Sequence, residues 1–266
     1  MVKRPRTTPK KPQLYRVEVL RTERLTPHMQ RVTVGGTALA DFPWMGFDHW
    51  FRLFVRLPHQ NGFAMPEISG KQWWLKYLAA AEKTRPHCAN YTIADFRAAD
   101  AELDIDFVVH LGPSGEPEGP AAIWACAATP GEKIAIFDQG ILFAPPTDTT
   151  EVTIVADESG LPAVTGILRS LPADTTGRVI QEVPTPADRR DLSGPAGITI
   201  TWIDRDDPTA IPGVKALQAL QTLENLDPHG YAFVVGEAKL ATHGRRHLHH
   251  IGLPKDRITF SGFWKH

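Results

Sequence analysis

The chain has 266 residues, 42% hydrophobic and 22% charged, with a formal net charge of −1, enough for two modest domains with separate cores. A near-neutral balance gives no reason to expect a nucleic-acid partner, which usually leaves a strong basic excess. Cys88 and Cys126 are the only cysteines, so there is no disulfide framework or four-cysteine metal site, and a reducing cytoplasm is the default location.

No apolar run approaches the roughly 20 residues that span a bilayer. The opening MVKRPRTTPKKPQ is positively charged with no apolar segment behind it, which reads as a solvated tail and not as a secretory signal. Short alternating segments follow. Leu14 to Val19, Gln30 to Val34, Trp50 to Val55, Asn90 to Ile93, Leu103 to Val109 and Lys133 to Phe137 all suit strands, with Gly, Pro and Asp between them. Six such strands predict a closed antiparallel barrel. Between the third and fourth, Trp74, Tyr77, Leu78 and Ala81 recur at helical spacing, so Gly70 to Lys83 is expected to lie over the barrel as a helix. A Gly119-Pro120 pair opens a short apolar helix, Ala121 to Ala127.

After Pro145-Pro146 the rhythm becomes strand and helix in alternation. Strands are expected at 152–156, 178–183, 198–203, 232–235 and 257–260, and helices at 162–171, 214–223 and 238–250. That alternation implies a parallel sheet with helices on its faces. The predicted architecture is therefore a two-domain β plus α/β chain: an antiparallel barrel over 13–146 and a parallel-sheet domain over 150–266.

Candidate sites follow from these elements. Unpaired N–H groups where Gly119, Pro120 and Ala121 start a helix suit a pyrophosphate. Asp157, Glu158 and Ser159 lie between a strand and a helix, where a pyrophosphate can use backbone N–H groups and a hydroxyl; an ordinary capped loop is the plainer reading. Arg189 and Arg190 follow the second α/β strand, a place to meet the 2′-phosphate of NADPH, and also read as a solvated charged loop. His243, His247 and His250 share one helix face; without an acidic or thiol ligand nearby, a surface cluster is expected and no metal is assigned. No G-x-G-x-x-G fingerprint occurs.

Taken in order, these segments resemble the siderophore-interacting proteins, flavin-dependent ferric-siderophore reductases of the ferredoxin-reductase superfamily. The resemblance runs from about Tyr15 to Lys265. VEVLRTERLTPHMQRVTVGG is similar to the family's opening strand pair, DHWFRLFVRLP to its next strand, and DIDFVVH to the strand before a His-Gly pair. ADESGLPAVTGILRSLP resembles the family's Asp-Glu-Thr-x-Leu-Pro segment, VVGEAKLATHGRRHL its Gly-Glu helix with paired arginines, and GFWK its closing Gly-Tyr-Trp. Each match alone is weak; the ordered set is specific.

The resemblance implies FAD in the barrel and NADPH or NADH on the second domain, with the flavin carrying the redox chemistry and no side chain acting as acid or base. It implies flavin contacts at Tyr91, Thr92 and His110 and at the helix start up to Trp124, and cofactor contacts at Glu237 and Trp264. Arg245, Arg246 and Lys265 become the basic group for an anionic ferric siderophore. Tyr91-Thr92 also reads simply as two good strand formers, and His110 as a histidine satisfied by backbone groups.

The family's flavin signature carries one arginine two residues before the tyrosine and another beyond the threonine; here those positions are Ala89 and Ala94. His-Gly becomes His110-Leu111, and the closing tyrosine Phe263. Arg97 shares strand parity with Tyr91 but lies roughly 20 Å away on an extended strand; Arg85 precedes Pro86, which is expected to end the strand. The expected activity is electron transfer from NAD(P)H through FAD to a ferric siderophore. Two alternatives stand beside it: a family member binding a siderophore or small anion without a stable flavin, and a general flavin or quinone reductase.

Overall fold

The computed structural model describes residues 6–65, 73–112, 114–207, 210–224 and 226–266. The chain divides into two compact units. One is Thr8–Trp44 with Trp50–Gly140; the other holds Met45–His49 and Ile141–His266, with Thr7 bridged to Ile141.

The first unit is a closed antiparallel barrel. Its strands are β1 (Leu14–Thr26), β2 (Met29–Gly35), β3 (Trp50–Val55), β4 (His87–Arg97), β5 (Glu102–Val108) and β8 (Lys133–Gly140), in the order β1-β2-β5-β4-β3-β8. Between β5 and β8 lies a small hairpin, β6 (His110–Leu111) with β7 (Pro117–Glu118), too short to show in a periodicity reading. Alternation decides the two faces of each strand. Tyr15, Val17 and Val19 of β1 and Leu103, Ile105 and Phe107 of β5 point into the core. Helix α2 (Pro120–Ala127) adds Trp124 and Ala125 to the same core. Helix α1 (Trp73–Ala79) covers the outer side of the wall, where Trp73 and Tyr77 pack with Phe54, Ala135 and Phe137. The expected helix starts at Gly70, and residues 70–72 of it lie outside the described residues.

On the outer barrel wall, the residues of β5 that alternate with the core positions are acidic and buried. Asp104 and Asp106 are 3% and 4% exposed. Charges there need partners, and neighbouring strands supply them. Arg31 holds Asp106 at 2.6 and 2.8 Å, Thr33 donates to Asp104 at 2.7 Å, and Arg97 donates twice to Asp104 at 2.8 Å.

The second unit is a five-stranded parallel sheet, ordered β11-β10-β9-β12-β13. The strands are β9 (Glu151–Ala156), β10 (Thr176–Val183), β11 (Gly197–Asp204), β12 (Tyr231–Glu237) and β13 (Ile258–Trp264). Central strands buried on both faces read as continuous apolar runs, as in YAFVV of β12. Helix α3 (Leu161–Ser170) covers one face with Ala163, Val164, Ile167 and Leu168, together with Phe143. Helices α4 (Val214–Gln221) and α5 (Ala238–His250) cover the other through Ala216, Leu220, Leu240 and Leu248. None of the described helices is long and apolar enough to cross a membrane.

Candidate functional site

In the barrel unit, Tyr91 stands opposite Phe51 on β3, with its ring 4.5 Å from Phe107 at 45°. Burial raises its phenol pKa above the ordinary value. Thr92, 7% exposed, pairs with Trp50. The ladder is regular here, so these adjacent residues face opposite sides of β4. The phenol packs against the barrel core and the hydroxyl belongs to the other side. Trp124 is a core residue, 3% exposed, whose Nε1–H donates to Glu132 at 2.7 Å. His110 is exposed on the β6–β7 hairpin, opposite Glu118.

The start of α2 has the backbone a pyrophosphate needs. Gly119 takes φ +88°, and a Cβ built there would meet nothing within 4 Å, so the approach to the first turn is open. That turn contains no acidic side chain, and its first N–H groups lack intrahelical acceptors. Backbone donors therefore fit a flavin diphosphate. The two arginines of this stretch are engaged elsewhere: Arg97 is bound to Asp104 and Glu102, and Arg85 donates to the Leu78 carbonyl at 2.8 Å.

In the α/β unit, four donors converge on Asp157, which is fully buried just after β9. It accepts from Ser159 N at 2.9 Å, Ser159 Oγ at 2.5 Å, Glu237 N at 2.6 Å and Trp264 Nε1 at 3.3 Å. Burial, and then the charge of Glu158, push its carboxyl up to about 7 against those hydrogen bonds. Gly236 has φ +126°, and a Cβ there would lie 2.5 Å from the Asp157 carboxyl; only glycine lets β12 pass so close. The structure thus joins Asp157, Ser159, Glu237 and Trp264 at the C-terminal edge of the sheet, the edge where open α/β sheets bind ligands. Glu237 also caps α5 by accepting from Lys239 N.

Glu158 belongs to a different network. It is 2% exposed and receives both arms of Arg205 at 2.6 Å, and Arg205 also donates to Glu182 at 2.9 Å. Glu182 in turn accepts from Gly213 N and Ala216 N, each at 2.8 Å, anchoring the start of α4. Both oxygens of Glu158 are committed to Arg205, which gives this residue a structural part. Arg205 carried no sequence signal, since its partners come from distant segments, the turn after β9 and strand β10. Arg189 is held by Asp204 at the end of β11, through a 2.9 Å bond from Nε and a second from Nη2. Arg190 is half-buried beside it.

The three basic residues have different surroundings. Arg245 lies over the Phe260 ring at 5.0 Å. Arg246 lines a groove with Gln221, His243, His247 and His250. Lys265 is exposed just past β13, at the sheet's C-terminal edge. Among the described residues no group of three or more His, Cys, Asp or Glu side chains is arranged to hold a metal.

Comparison with known proteins agrees with this geometry. Residues 18–141 match the siderophore-interacting FAD-binding domain, and residues 149–266 match the siderophore-interacting protein domain. Ferric vibriobactin reductase ViuB of Vibrio cholerae is 29% identical over 255 residues, covering 94% of this chain and 88% of that protein. The NADPH-dependent ferric-chelate reductase of Escherichia coli is 27% identical, covering 97% and 98%. A siderophore utilization protein from T. fusca superposes with a TM-score of 0.83 at 28% identity, covering 98% and 96% of the two chains. With one family model matching the barrel and the other the parallel-sheet unit, together over most of its length, the chain belongs to the siderophore-interacting protein family.

Proposed function

We propose that the protein is a cytoplasmic ferric-siderophore reductase, taking electrons from NADPH or NADH through FAD to a ferric chelate and releasing iron as the weakly held ferrous ion. The observation that carries this reading is the ordered pair of family domains, FAD-binding over 18–141 and siderophore-interacting over 149–266. On this reading residues 13–146 hold the flavin and residues 150–266 the nicotinamide. FAD, when bound, supplies two-electron acceptance and one-electron release.

The chain's own residues bind and orient. The open helix start at Gly119–Ala121 offers backbone N–H groups to the diphosphate, with Tyr91, Thr92 and His110 as the remaining flavin contacts. The Asp157–Ser159 turn, Glu237 and Trp264 define the nicotinamide edge of the sheet. Of the basic residues, Lys265 is placed to attract an anionic chelate at that edge. With Arg189 held by Asp204, Arg190 is the other candidate for a 2′-phosphate contact, and comparing NADPH with NADH kinetics in an Arg190→Gln variant tests it.

A second reading is favoured by one observation. With Ala89 and Ala94 in place of arginines and Arg97 committed to Asp104, the protein is a family member that binds its siderophore without a stable flavin. FAD titration followed by anaerobic reduction of a ferric siderophore, read as a ferrous chelate, separates the two. Saturable FAD binding with NAD(P)H-dependent iron reduction supports the reductase. Siderophore binding without FAD binding supports the second reading. Turnover of quinone with none of ferric siderophore points to a general flavin reductase.

A further inference from the structure

The α4–α5 face of the α/β unit carries a groove of about 420 Å³ lined by Gln221, His243, Arg246, His247 and His250. We propose that this groove is a second ligand site, which takes a phosphate group and is separate from the nicotinamide edge. The proposal does not rest on the reductase reading.

The lining is chemically one-sided. It has a guanidinium, three imidazoles and a carboxamide, all able to donate hydrogen bonds, and no carboxylate. His243, His247 and His250 follow at i, i+4 and i+7 on one face of α5, and Arg246 lies three residues from one and four from another. Gln221 comes from the last turn of α4. Arg246 is exposed and makes no ion pair or side-chain hydrogen bond among the described residues, unlike Arg31, Arg97, Arg189, Arg205 and Arg257, which are all paired with carboxylates. The Nε2 atom of His247 is closed off from solvent and has no hydrogen-bond partner. A buried polar atom left unmet costs roughly 1–3 kcal/mol. The ring's soft χ2 lets a small rotation bring a nitrogen to an oxygen in the groove.

Charge and geometry choose the ligand class. Imidazoles at i and i+4 can chelate a transition metal, but Arg246 between them repels a cation, and no third ligand completes a metal set among the described residues. A tetrahedral oxyanion matches instead, since each oxygen accepts from a different donor and charged bonds to a guanidinium are the stronger kind. The groove is distinct from the nicotinamide edge. Helix α5 begins beside Glu237 at that edge, and Arg246 lies nine residues farther on, about 13 Å along the axis at 1.5 Å per residue.

The test is a titration of the full chain with inorganic phosphate at pH 7.0, followed by histidine and arginine side-chain NMR, alongside AMP and adenosine. Saturable shifts at His243, His247 and Arg246 with phosphate and AMP, absent with adenosine, are expected. Arg246→Gln should weaken phosphate at least tenfold with an unchanged circular dichroism spectrum; if that variant misfolds, His243→Gln serves the same comparison. AMP tighter than inorganic phosphate points to a nucleotide as source, equal affinity to free phosphate. Non-saturating shifts, shifts confined to Asp157–Ser159 and Arg190, or saturable Zn(II) shifts without any from phosphate would each overturn the proposal.

Discussion

Arg97 is tied to Asp104 by two guanidinium hydrogen bonds of 2.8 Å, and the same guanidinium reaches Glu102 at 3.1 Å. The arginine of β4 is therefore part of the barrel wall. Together with Thr33 at 2.7 Å and Arg31 at 3.3 Å it balances a carboxylate that is 3% exposed, and swinging toward a distant diphosphate would give up its two bonds to that buried charge.

Flavin affinity should accordingly be set at position 89. Ala89 is half-buried, whereas Ala94 is 6% exposed and set into the wall, so an arginine at 89 has the easier route to solvent. Ala89→Arg should tighten FAD by about tenfold to a hundredfold, one charged hydrogen bond's worth, measured by flavin fluorescence. Arg97→Ala should leave FAD affinity near wild type and lower stability by about 2 kcal/mol. Stoichiometric FAD surviving dialysis of the wild type contradicts the weak-binding expectation.

Glu158 and Arg205 should behave as a stability pair. Removing one member of a buried ion pair costs about 3–5 kcal/mol, because the other is left as an uncompensated charge. Arg205→Ala should lower the urea midpoint sharply, with loss of the α4 anchor. If Glu158→Gln raises the Michaelis constant for NAD(P)H with unchanged stability, Glu158 is a cofactor contact after all.

Asp157 should make the fold less stable as pH rises toward neutrality. Its folded pKa, about 7, lies above the ordinary aspartate value of about 3.9. Between those values the folded state holds more protons than the unfolded chain, so unfolding free energy falls with increasing pH. The contribution is full below about pH 4 and gone above pH 7. Asp157→Asn should flatten that part of the profile in urea unfolding from pH 4.5 to 8; an unchanged slope would show that the burial penalty is fully offset by the four donors.

Lys265→Glu should raise the Michaelis constant for an anionic ferric siderophore and leave oxidation of NAD(P)H by a neutral quinone nearly unchanged. Long-range attraction of this kind is screened beyond about 10 Å at 0.1 M salt, so the wild-type advantage should shrink as salt rises. Equal kinetics for both proteins at low salt would mark Lys265 as ordinary surface charge.

The architecture was legible in the sequence because it depends on periodicity. Alternation in Leu14–Val19 or Leu103–Val109 follows from one wall face being buried, and unbroken apolar runs such as YAFVV follow from a sheet covered on both sides. The six barrel strands and the parallel sheet therefore lie where the pattern places them, most strands running a few residues past the apolar core as hydrogen-bond ladders continue, while the helices expected to end at Lys83 and Leu223 end at Ala79 and Gln221. The glycine at the start of α2 was likewise visible, since only glycine takes its positive φ freely.

What the arginines, aspartates and glutamates do was decided by tertiary structure. Glu158 and Arg205 are 47 positions apart, and Asp157 and Trp264 are 107 apart; strand order and register bring them together, and neither leaves a local pattern. The same residue types on exposed surface would be solvated and interchangeable. Burial removes water as a partner, so each charge must find a particular neighbour, and the neighbour is chosen by the fold. Arg97 and Arg246 show the two outcomes: one is consumed by Asp104 in the barrel wall, while the other stands without a carboxylate beside three histidines on α5.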